Sequence, residues 1–357
     1  MATRTPLILN QTTARIEEMA AADTIPGTMI EGLVGRNALI NGDFRFWQRG
    51  ANFPAAAGQR YTSDRWQANA TGSTIWIQRV DIPPGGGTVP MLQKSKHMLQ
   101  AIVSSVAGAS NFALIQQRIE GVRQLSGKTV TVSFKAKASA ADFKVGVEFQ
   151  QSFGAGGSAG VDSLNASVTL GTDWQQFAVQ ISVPTVVGKT IGDNDYLQLS
   201  FWLDAGANLA GRSLNAGQKS GTVSITEVQV EDSIIATPFE FRPDALELML
   251  CYRYCYLYSQ DSGNAFTLAM VLNPTTVLGF INFAIPMRVT PSAQNVGDTP
   301  SVTDAAGGNR PFVAQNLIPI GTNRLAVTVQ SSGLTSGQSA YLGSRGSGYK
   351  VLLDAEL

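Results

Sequence analysis

Few side chains in this chain offer covalent or metal chemistry. There is one histidine, His97, in the run Lys94-Ser-Lys-His-Met-Leu99 at the start of an alternating stretch. Any Ser-His-Asp or Cys-His site would have to use it, and a histidine-rich metal site is impossible. The expectation is a solvated or hydrogen-bonded structural histidine, because sites are scarce relative to residues. Cys251 and Cys255 are the only cysteines and lack CxxC spacing. On a single strand their Cα atoms would stand about 13 Å apart, beyond disulfide reach. Two reduced structural thiols are expected. Carboxylate pairs are the remaining catalytic option, since glycan cleavage uses two of them. Asp193 with Asp195, and Glu231 with Asp232, are close in sequence. Closeness along a loop does not make two carboxylates face each other, and solvated turns explain both pairs. Asp43 or Asp64 could help hold a structural calcium, but Asp64-Arg65 is equally well a local charge pair. The chain is therefore expected to be no enzyme and to hold no metal and no cofactor.

Aromatic rings offer a different chemistry. Sugars stack their apolar C–H faces on tryptophan or tyrosine while neighbouring amides and carboxylates bind the hydroxyls. Trp66 and Trp174 are most simply core or sheet-edge packing. Trp76 lies between Ile75 and Ile77 and shares its side with Thr74 and Gln78; Trp202 lies between Phe201 and Leu203, next to Gln198 and Ser200. Strand alternation turns both rings outward, which makes Trp76 and Trp202 the ligand-binding candidates. Contact with a neighbouring subunit is the equal alternative.

These residues sit on strands. Val130, Val132, Phe134 and Ala136 alternate with polar partners, as do Phe143 to Phe149, Phe177 to Val183 and Leu197 to Leu203. Each set has the period of a strand with one face in a core. About ten such strands without a sustained helical period predict an antiparallel two-sheet sandwich, most simply a jelly roll, over residues 37–243. The apolar pairs Val223/Ile225 and Val228/Val230 are out of phase, which predicts a β-bulge near Thr226–Glu227. Residues 244–357 read as a smaller β domain. A short helix capped by Asp244 opens it, followed by a strand bearing Tyr252, Tyr254, Tyr256 and Tyr258. Residues 11–22 could form a brief helix within a separate segment, 1–36. The fold class is thus all-β, a sandwich plus a smaller C-terminal β domain with a short N-terminal segment.

Charged residues make up 15% of the 357, against about 25% in average soluble chains, and mean hydropathy is +0.04. That balance points to surface buried between subunits. With zero net charge and no basic stretch, nucleic acid is not an expected partner. The start lacks the long apolar region of a secretory signal. The most apolar window, residues 265–287, is broken by Asn273-Pro-Thr-Thr276 and reads as two strands around a turn, with no membrane insertion.

Several spaced motifs carry a family resemblance. Asn37-Ala-Leu-Ile-Asn-Gly-Asp-Phe44, Tyr61-Thr-Ser-Asp-Arg-Trp66, Leu125-Ser-Gly-Lys-Thr-Val-Thr-Val-Ser-Phe134 and Thr172-Asp-Trp174 resemble the carbohydrate-binding-module-like jelly rolls of bacteriophage tail fibres. The junction Ala236-Thr-Pro-Phe-Glu-Phe-Arg242 with Leu250-Cys-Tyr-Arg-Tyr254, and the final Leu353-Asp-Ala-Glu-Leu357, resemble parts of phage fibre and appendage proteins. The resemblance implies a virion component made in the host cytoplasm, usually a homotrimer. Residues 1–36 would attach it to other tail, baseplate or collar proteins, and its β domains would meet a bacterial surface glycan in receptor binding. The alternative is a structural or decoration protein of the virion that mediates assembly without meeting a receptor.

Overall fold

The computed structural model describes residues 7–10, 15–18, 35–84, 92, 94–344, 346 and 348–357. Strands β1 (Leu7–Asn10) and β2 (Arg15–Glu18) pair antiparallel, Leu7 opposite Glu18. The helix expected over 11–22 is thus a strand at its described residues. A helix so short is marginal alone, and cross-strand bonding gives the same backbone groups partners. The rest of 1–36, apart from the two residues at its end, lies outside the described residues.

One ten-stranded antiparallel sheet dominates the chain. It contains β3 (Asn52–Tyr61), β4 (Trp66–Asp81), β5 (His97–Ser104), β6 (Phe112–Glu120), β7 (Thr129–Ala138) and β8 (Phe143–Ser152). Strands β9 (Val161–Leu170), β10 (Gln175–Ser182), β11 (Tyr196–Ala205) and β12 (Gly221–Glu231) complete it. Its order is β10-β7-β12-β5-β4-β6-β11-β8-β9, with β3 also on β4. The 16-residue β4 is the corner: its first part pairs with β6 and its second, from Thr74, with β5. A register shift at Thr71/Gly72, where Gly72 takes φ +69°, lets the strand turn and changes its phase. Trp66, Ala68 and Ala70 therefore face inward before it, and Ile75 and Ile77 after it. The sheet so folds into two layers, a sandwich whose alternating apolar residues meet in one core. Phe201 of β11 lies edge-on to Phe134 of β7 at 5.0 Å, with Trp66 6.4 Å away.

The expected bulge is present. The register of β12 against β7 shifts between Thr226 and Gln229, and Glu227 takes φ +52°. It keeps Val223, Ile225, Val228 and Val230 all in the core.

Beyond β12 the chain builds helix α2 (Asp244–Tyr252), then a three-stranded and a seven-stranded sheet with their own core. Two local expectations are corrected here. Tyr252 ends the helix and Tyr254 precedes β13 (Cys255–Gln260), so only Tyr256 and Tyr258 lie on the strand. Glu247 and Cys251, one helical turn apart, are both buried, and that spacing overrides alternation. The two cysteines, free and buried, consequently sit on different elements. Asp244 is not the cap: Pro243 is, without a side-chain bond. Asp244 instead meets Arg45 at 2.6 Å and Lys96 at 2.8 Å, near the helix N-terminus where negative charge is favoured.

The seam between sandwich and second unit is buried and charged. Arg65, 1% exposed, pairs with Glu356 rather than with neighbouring Asp64, and its guanidinium lies 3.5 Å over the Tyr254 ring. Arg49 reaches Asp354 at 2.7 Å and Glu356 at 3.3 Å. Arg242 pairs with Glu247 at 3.1 Å, and Glu247 also accepts from the Asn41 amide. The motifs at 37–44, 61–66, 236–254 and 353–357 thus converge on this seam, where their polar residues act as structural partners.

Asp64 sits in the same seam, fully buried. It accepts from the Gln48 amide at 2.9 Å and the Gln48 side chain at 2.6 Å, while Gln48 bonds Cys255 and Leu257. Burial, outweighing these bonds, pushes its carboxyl from 3.8 up to about 6. A raised acid holds its proton more tightly folded than unfolded, so between pH 3.8 and about 6 stability falls as pH rises. The full penalty, about 3 kcal/mol, is present above that window and absent below it. Asp64→Asn should remove this slope. Thermal melts from pH 4 to 6 would show the difference, and parallel wild-type and variant profiles would refute the assignment.

Candidate glycan-binding face

The site begins with the polar half of the alternation. In β4, β6, β11 and β8 the apolar residues enter the core, which turns Gln67, Asn69, Gln116, Arg118, Gln198, Ser200, Glu148 and Gln150 to the outer face of one layer. A depression of about 220 Å³ lies there, lined by Asn69, Gln116, Arg118, Gln150 and Gln198 of that set together with Tyr196, Trp202 and Arg212. The short helix α1 (Ala210–Ser213), with the turn before it, packs over one end and delivers Arg212.

An amide network runs across the strands. Gln67 Oε1 accepts from Gln59 and Gln116, both at 2.6 Å. Gln198 accepts from Arg118 Nε at 3.1 Å and donates to Ser200 at 3.2 Å. Arg118 stacks 4.5 Å over the Tyr196 ring and donates to the Leu357 carbonyl at 2.6 Å, so the second unit borders the groove. Gln67 is buried, and its side chain also reaches the Tyr61 hydroxyl. Amides donate and accept side by side, as vicinal hydroxyls require. Glu148, the carboxylate beside the groove, has both oxygens held by Arg212, at 2.7 and 2.9 Å. Among the described residues no cluster of ligands suits a metal ion.

The two tryptophan candidates are not brought together. Trp76 is half-buried on the outer face of the opposite layer, opposite Ile102, with Nε1 donating to Asn52 at 2.6 Å. Trp202 does lie outside the main core, as its phase implied, but it is 2% exposed and so is no open platform. Phe112 packs edge-on to it at 5.6 Å, Arg212 lies 5.1 Å over its ring, and its Nε1 donates to Glu148 at 2.9 Å. Alternation assigns a face, and α1 then covers that part of the face. Of the groove's polar residues, the tryptophan pattern marked only Gln198 and Ser200, beside Trp202. The groove's signal was present in Gln116-Gln-Arg118 and Gln198-Leu-Ser200, amides at the outward positions of apolar strands.

His97 opens β5 and bonds Asp81 at 2.9 Å. Asp195 accepts from the Val122 amide at 2.6 Å, Glu231 from Thr237, and Asp43 pairs with Arg45 at 2.7 Å. None of these meets the groove.

No protein-family model and no curated protein matches the chain. Among solved structures, a carbohydrate-binding module described as CBM4 is 18% identical over 54% of this chain and 98% of its own, with a TM-score of 0.31. A family 11 carbohydrate-binding module from Clostridium thermocellum, bound to a β-1,3-1,4-mixed-linked tetrasaccharide, is 10% identical over 51% of this chain and 99% of its own, TM-score 0.31. The enzymatically active domain of tailspike protein 4 from bacteriophage CBA120 is 15% identical over 55% of this chain and 21% of its own, TM-score 0.32.

Proposed function

We propose that the chain is a non-catalytic glycan-binding protein whose ligand lies across the outer face of β4, β6, β11 and β8, and that it serves as a tail-fibre or receptor-binding component of a bacteriophage virion. The observation that carries the binding half is the set of amides, Gln116, Gln150 and Gln198, that lines the groove beside Arg118 and Tyr196. A purely structural face would gain more from apolar or charged residues, which either pack or stay solvated. The virion half rests on the sequence motifs now located at the seam, and on them alone. Attachment through residues 1–36 belongs to the same reading.

The test is calorimetry or array binding with oligosaccharides from bacterial surfaces, comparing wild type with Tyr196→Ala and Gln150→Ala. Both side chains are half-buried and border the groove. Losing one stacking or hydrogen-bonding contact of about 1–1.5 kcal/mol should weaken binding roughly tenfold, with the melting temperature held within a few degrees. If Trp76→Ala weakens binding and these two do not, the ligand sits on the other layer. Wild-type protein that binds no glycan would favour a structural or decoration role.

A further inference from the structure

The second unit carries an apolar surface that its own core does not use. The seven-stranded sheet contains β14 (Ala265–Asn273), β15 (Thr276–Asn282), β19 (Ala314–Ile320), β20 (Arg324–Gln330) and β21 (Ser339–Gly343). Val271, Val277, Ile281, Leu325, Val327, Val329, Ala340 and Leu342 face inward. Among the positions that alternate with them, beside polar residues such as Asn316 and Thr328, stand large apolar side chains that face solvent. Leu268 is 86% exposed, Met270 52%, Phe280 40%, Ile318 44%, Ile320 46% and Tyr341 40%. Register makes them one patch: Leu268 stands opposite Tyr341, Met270 opposite Leu278, and Phe280 and Ile318 flank Ala326 from either side.

We infer that this face is the surface on which a second copy of the chain packs, sheet against sheet. The area is sufficient. At roughly 200 Å² per fully exposed large residue, the six side chains present about 600 Å². A standard interface buries about 800 Å² on each partner, up to about 65% of it apolar. A monomer seldom leaves a patch of that size and continuity open. The charge pattern selects the same occupant. Among outward positions on these strands only Arg324 is charged, and its guanidinium lies 5.5 Å over the Phe280 ring, toward the end of the sheet where β20 begins. A charged partner would find nothing to pair with, whereas a neutral apolar face is complementary to the same face of another copy. This inference is independent of the glycan reading, which concerns the sandwich.

Light scattering on the full chain at micromolar concentration should give at least twice the 37.9 kDa chain mass. Leu268→Lys combined with Ile318→Lys should return it to a single chain mass, with circular dichroism unchanged and a melting temperature matching that of wild type diluted to its monomer, since both side chains are exposed in the free chain. In wild type, peroxide oxidation of Met270 should be several-fold slower at high protein concentration than after dilution, a readout that no variant needs to survive. A wild-type monomer would overturn the inference, as would a folded double variant that keeps the oligomer mass. Concentration-independent oxidation of Met270 would do the same. A monomer that instead co-sediments with phosphatidylcholine vesicles would assign the patch to a lipid surface and also overturn it.

Discussion

Replacing Glu356 with glutamine is expected to cost the protein about 3–5 kcal/mol of folding stability, the usual penalty for stranding one member of a buried ion pair. The reason lies in the seam. Arg65 and Glu356 side chains are 1% and 3% exposed, so water cannot replace the lost carboxylate. The stranded guanidinium would keep its bond to the Arg118 carbonyl at 2.5 Å and its stacking on Tyr254, neither of which neutralises it. Arg49 would lose its 3.3 Å partner at the same time. Urea denaturation measures the loss. The double variant Arg65→Met/Glu356→Leu should recover most of it, because removing both charges also removes their desolvation cost. A single-variant loss below about 1 kcal/mol, the range of exposed pairs, would show that the seam opens to solvent.

Trp202→Ala should be similarly damaging, at about 3–5 kcal/mol, the range for a large ring removed from a packed site. The ring bridges the outer face and α1, and its loss frees Glu148 from one donor while removing the surface under Arg212. Trp76→Ala should cost well under half as much, because Trp76 is only half-buried, although its bond to Asn52 would go. Paired denaturation curves test the contrast. Equal and small losses would mean that α1 does not hold the ring down. Equal and large losses would mean that Trp76 is sealed by a contact beyond this chain.

Strand identity and the two-layer β architecture were legible because alternation is a short-range property that the sequence displays directly. The bulge at Glu227 was legible for the same reason, as a slip in phase. Burial of outward residues was not, since Trp202 is covered by an element that adjoins it only through the turn leading to α1. Helix α2 outran its expected length because Cys251 and Tyr252 carry strand-like side chains in a segment whose buried positions are a helical turn apart. The groove was half legible. Each amide can be read from its strand, but their meeting depends on the order β4-β6-β11-β8, which no local pattern encodes. Arg65 and Glu356 are 291 positions apart, and nothing in either neighbourhood announces the other.

That separation has a consequence for how the chain is made. Ribosomes add about 5–20 residues per second, so Arg65 emerges roughly 15–60 s before Glu356 does. During that interval the strands around Arg65 can close only by burying a lone cation or by leaving their edge at the seam open to water. Vectorial completion of the sandwich is therefore disfavoured, and the final turn of its closure is deferred until the second unit has been synthesised. The expected order of folding therefore has the edge around Arg65 closing only after Glu356 has been made.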